Sequence, residues 1–134
     1  MKGVKLLFLV AAMSIFHIEM AIAEKVVFMG IPDELVNDAC DTVKLDGAKK
    51  QESMVSIIEI NGRYYWQTRD NRELMYRKSG VFHSFVDTLG GGYIRIMDAS
   101  HPDFNKVRGL EYVEHLVMGL GSITYRGTGL TVAP

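Results

Sequence analysis

The chain has 134 residues, of which 48% are hydrophobic, with 15 Lys+Arg against 16 Asp+Glu. That length gives one domain with enough apolar material for a core. The near-neutral charge excludes general nucleic-acid binding, which needs a strongly basic face, and a single cysteine excludes an intramolecular disulfide.

The first element is an export signal. Met1 to Lys5 carries Lys2, Lys5 and no acid, and Leu6 to Phe16 is an apolar run broken only by Ser14. The run is well short of the roughly 20 residues that cross a bilayer as a helix. Ala21-Ile22-Ala23 then supplies an Ala-x-Ala cleavage site. This order predicts a signal peptide over 1–23, cleavage after Ala23 and a single domain over 24–134, periplasmic or secreted. No cysteine follows the small residues, so no lipid anchor is expected, and no stable membrane span remains after cleavage. Within the mature part, Glu24 to Ile60 holds four lysines against eight acids, and Arg63 to Arg95 holds six bases against three acids. The two stretches predict a dipolar domain able to orient a charged partner.

Lys25 to Met29 reads as an opening strand. Pro32-Asp33-Glu34 fits a helix start, where Pro is tolerated and acids complement the dipole. Leu35, Val36, Ala39, Cys40 and Val43 follow at helical spacing, which predicts a helix over Pro32 to Val43. On its apolar face Cys40 is an inert core thiol, although a free thiol or a bridge between chains stays open. Leu45 to Ser53 is polar and reads as a loop. Met54 to Ile60 and Arg63 to Thr68 flank Asn61-Gly62. Asn and Gly accept the positive φ of a type I′ turn, so a hairpin is expected. Asp70-Asn71 is a second turn. Glu73 to Ser79, Val81 to Thr88 and Tyr93 to Met97 are further strands, separated near Gly80 and by Gly90-Gly91-Gly92. Asp98 to Asn105 is a loop. Leu110 to Leu120 fits a helix or a strand, and the strand-like Ser122 to Tyr125 beyond it favours a strand. The tail after Arg126 is expected to be loosely held. The fold class read from these elements is α+β, with one N-terminal helix packed on an antiparallel β-meander.

The chemistry-bearing residues are sparse. Asp98, His101 and Asp103, joined by Glu114 and His115, could form a small metal-dependent or acid–base hydrolase site, since such a site needs three or four converging ligands or a carboxylate beside a histidine. The chain contains neither His-Glu-x-x-His, Cys-x-x-Cys nor Gly-x-Ser-x-Gly, so no metal or cofactor is expected. The triple glycine lacks the Lys-Ser/Thr of a phosphate loop. A different cluster, Arg63, Tyr65, Gln67 and Arg69, shares one face of the predicted hairpin, while Tyr64 and Trp66 share the other. An aromatic ring flanked by guanidinium groups suits a protein or an envelope polysaccharide. The preferred reading is a non-enzymatic exported binding domain using that face. A hydrolase centred on His101 and His115 is one rival, and a structural subunit of an envelope assembly is the other.

Overall fold

The computed structural model describes residues 23–131, so the expected signal peptide lies outside the described residues except for Ala23. The chain runs β1 (Glu24–Val36), β2 (Thr42–Lys44), α1 (Gly47–Glu52), β3 (Val55–Ile60), β4 (Arg63–Trp66), β5 (Arg72–Ser79), β6 (Phe82–Asp87), β7 (Gly92–Met97), β8 (Leu110–Met118) and β9 (Gly121–Thr131). Every strand pairs antiparallel with its neighbour, and β1 pairs with β9 as well as with β3. The sheet therefore closes on itself. Strands β1 and β3–β9 form an eight-stranded barrel, and β2 extends the β3 edge of β1.

This overturns the α+β expectation. The only described helix is the six-residue α1, which buries no residue and lies in the stretch read as a loop. The expected N-terminal helix is instead the second half of β1, a turn, and β2. Leu35 and Val36 pair with Tyr125 and Thr124 on one side and with Val43 and Thr42 on the other. β-branched Val36, Thr42 and Val43 suit that pleated surface better than a helix. Pro32 lacks an N–H but sits beside a register shift in the β1–β9 pairing, where proline is tolerated within sheets. Cys40 is not a core thiol either. It is exposed at φ 63°, in a turn whose Asn37 side chain accepts the N–H groups of Ala39 and Asp41. Gly127 to Thr131, expected to be loosely held, instead complete β9 between β8 and β1.

The meander itself follows the sequence. Asn61 and Gly62 take φ of 52° and 79° between β3 and β4. Asp70 and Asn71 take similar values in the next turn. The ambiguous Leu110 stretch is β8, with Leu110, Tyr112 and Glu114 buried inside the barrel and Glu111, Val113 and His115 on its outer face.

Inward-facing side chains fill the barrel. Phe28, Val55, Ile57, Trp66, Ile94 and Ile96 are almost wholly buried, with Leu74, Phe85, Leu110 and Tyr112 beside them. An eight-stranded barrel is just wide enough for such a filled interior. The closing seam admits two rings because it has no side chains there. Gly30 pairs with Gly129 across it. A Cβ on Gly30 would come within 2.5 Å of Tyr112 Cε1, and one on Gly129 within 2.6 Å of Phe28 Cζ. The Phe28 and Tyr112 rings meet edge-on at 5.3 Å.

The antiparallel order places the connections alternately at two ends. The β3–β4 and β5–β6 turns and the loop 98–109 share the upper end. Segment 37–54, the β4–β5 and β6–β7 turns and residues 119–120 share the lower end.

Candidate functional site

The hairpin face predicted from sequence is only partly assembled. Tyr65 faces outward between Ile58 and Glu73, and Arg63 lies 3.8 Å from Glu73 on the exposed surface. Gln67 accepts the Ser56 hydroxyl and reaches Glu24. Arg69 leaves the face altogether. It lies beyond the end of β4, where strand alternation no longer fixes direction, and turns into the barrel.

There it meets Glu114. One Glu114 oxygen accepts Trp66 Nε1–H at 3.0 Å and the other accepts Arg69 Nη2–H at 3.1 Å. The Arg69 guanidinium also lies 5.9 Å from the centre of the Tyr125 ring. Glu114 is fully buried. Burial pushes its carboxyl up to about 7, against the pull of Arg69 and of the two hydrogen bonds. Arg69 Nε and Tyr112 Oη are buried without a hydrogen-bond partner among the described residues. The network ties β4 and the turn after it to β8 and β9.

The alternative constellation is scattered. Glu114 points inward while its neighbour His115 points outward, stacked on Tyr93 at 5.3 Å with Nδ1 2.9 Å from Thr124 Oγ1. His101 sits in the upper loop, where its Nδ1 accepts the Asp103 N–H. Asp98 does not face His101. It accepts the Ser100 N–H and contacts His83 Nε2 at 3.0 Å. Those contacts, the Ser100 N–H first and His83 second, hold its carboxyl at about 2. Among the described residues no group of three His, Cys, Asp or Glu side chains is placed to hold a metal.

A surface that the sequence analysis did not reach is better formed. An open groove of about 380 Å³ runs across the outer faces of β7, β8, β9 and β1. Three arginines line it from three different elements: Arg95 on β7, Arg108 on the β7–β8 loop and Arg126 on β9. Phe82, Glu34 and Glu111 share the lining. Arg95 and Arg126 flank Val113 in cross-strand register, which brings them together from 31 positions apart. Arg126 pairs with Glu34 at 3.5 Å. Arg95 lies over Phe82 and Tyr93, 5.7 and 5.8 Å from the ring centres. Among the described residues neither Arg95 nor Arg108 makes an ion pair with an acid. Only the β7–β8–β9 pairing could have revealed this cluster, since linear spacing gives no sign of it.

No protein-family model, no curated protein and no solved structure matches the chain.

Proposed function

We propose that this chain is an exported, non-enzymatic binding domain that holds an acidic polysaccharide of the cell envelope in the groove lined by Arg95, Arg108 and Arg126. The observation that carries the reading is the convergence of three guanidinium groups on one concave surface, two of them without an acidic partner among the described residues. Guanidinium forks match carboxylate and phosphate geometry. The half-exposed Phe82 ring adds a stacking surface for a sugar. Glu34 and Glu111 add acceptors for hydroxyl groups. The groove also lies where the basic β7 and the acidic β1 approach across β8 and β9, a boundary that fixes the direction of a polar chain laid along it.

Export is supported by the n-region, the apolar run and the Ala-x-Ala site, and by where the barrel begins. Among the described residues the first strand residue is Glu24, paired with Ile60, so cleavage after Ala23 leaves every described strand pairing intact. Apart from the paired Arg69 and Glu114 the described core is mainly apolar, while Arg77, Arg95, Glu111 and Arg126 stand on the outer face. A membrane-spanning barrel has the reverse pattern.

The test is binding of the domain, starting at Glu24, to acidic polysaccharide purified from the host envelope, read across a salt series. Arg95→Ala combined with Arg126→Ala is expected to weaken binding at least about tenfold, in line with lost charge-assisted contacts. Undiminished binding by that double variant refutes the groove. Loss on Arg63→Ala with Tyr65→Ala instead moves the site to the hairpin face and favours a protein partner.

A further inference from the structure

The upper end of the barrel carries a hydrogen-bonded series that the binding reading does not use. Tyr76 on β5 and His83 on β6 lie diagonally across the β5–β6 hairpin, where Tyr76 pairs with Phe85 and His83 with Lys78. Tyr76 Oη is 2.7 Å from His83 Nδ1. His83 Nε2 is 3.0 Å from Asp98 Oδ2. Asp98 is fixed in turn by the Ser100 N–H at 2.9 Å and by Lys78 Nζ at 3.6 Å. An ionised Asp98 can only accept, so Nε2 carries the imidazole proton. Nδ1 is then the acceptor and the Tyr76 hydroxyl the donor.

Packing holds this alignment. The His83 ring stacks on Tyr76 with 18° between planes, and Tyr64 and Phe85 lie 5.5 and 5.0 Å from the Tyr76 ring centre. Tyr76 is 38% exposed, so its hydroxyl is open to a reagent, while His83 and Asp98 are largely covered. A hydroxyl within reach of a base that a third group orients is the arrangement that activates a nucleophile. It is recognised by geometry rather than by sequence order.

We propose that Tyr76 is an activated nucleophile that accepts an acyl group from an ester, with His83 as its general base and Asp98 as the residue that orients His83. Tyr76 Oη bonds to the ester carbonyl carbon as its proton passes to His83 Nδ1. The tetrahedral intermediate collapses with cleavage of the bond to the alcohol oxygen, which takes the proton back from His83. The products are an O-acyl tyrosine and a free alcohol, and no cofactor or redox partner is needed.

The test uses p-nitrophenyl acetate with the purified protein, following p-nitrophenolate release and locating the acetyl group by peptide mass mapping. Acetylation is expected at Tyr76 ahead of the half-buried Tyr65 and Tyr93, and Tyr76→Phe should remove it. His83→Gln should slow it about 100-fold, the scale of general-base assistance, and Asp98→Asn should also slow it. Should His83→Gln fail to fold by circular dichroism, the Tyr76-to-Tyr65 acetylation ratio in the unmodified protein decides alone. Acetylation of Tyr76 no faster than of Tyr65, or an unchanged rate in folded His83→Gln, overturns the proposal.

Discussion

Glu114 sets a pH dependence of its own. A carboxyl near 7 in the folded chain and near 4.5 in the unfolded one binds its proton more tightly when folded. Its stabilisation is therefore complete below about pH 4.5 and is lost as pH rises through 7, a total of roughly 3 kcal/mol. Glu114→Gln cannot titrate, so urea midpoints measured across that window should fall with pH in the parent and lose that part of the slope in the variant. An identical slope in both would show that Glu114 is ionised throughout. Asp87 and Asp98 act in the opposite sense. Burial works to raise Asp87, but the Leu89 N–H, Arg72 and the Gly91 N–H outweigh it and hold the carboxyl low. Contributions from such lowered carboxylates are present above the ordinary carboxylate range and disappear as pH falls, for Asp98 through about 2. The Arg69–Glu114 partnership was not legible in the sequence, because Arg69 lies in a turn where the two-residue alternation of β4 no longer applies.

At the level of elements, the seam between β1 and β9 is the most sensitive. Gly30→Val would push a branched side chain into the space of the Tyr112 ring, and overpacking of this kind costs typically about 1–3 kcal/mol. Met29→Val, one residue away on the exposed outer face, should stay within about 0.5 kcal/mol of the parent. Thermal or urea midpoints separate the two, and equal losses would mean that the seam is not close-packed. Strands joined by short turns were readable: Asn61-Gly62 specified β3–β4 through its φ demands, and the glycines near 80 and 90–92 bounded β5 to β7. β1 was not readable over its full length. A bulge at Val27 breaks its alternation against β3, and the later spacing of Leu35, Val36, Ala39, Cys40 and Val43 imitates a helical stripe. That stripe came from two strands meeting across a turn, a coincidence that tertiary pairing resolves and local periodicity does not.

For the whole molecule, export processing gives a direct check. Mature protein recovered from its host should begin at Glu24 by intact mass, and a recombinant chain starting there should match it in thermal midpoint, since the described strand pairings of the ring start at Glu24. A mature species that retains Met1 would remove the envelope from the argument. Ring closure itself was beyond the sequence, because it joins strands at opposite ends of the domain and leaves no mark in any short window. The same pairing governs timing. A chain emerging from its N-terminus makes β1 first but lacks the strand that completes the circle until Gly121 to Thr131 has followed. Until then it can form hairpins but not the finished cylinder. Contacts of such long sequence separation are slow to form. Under the export proposed above, a domain whose ring closes only when β9 arrives would stay threadable through a narrow translocation channel and lock on the far side.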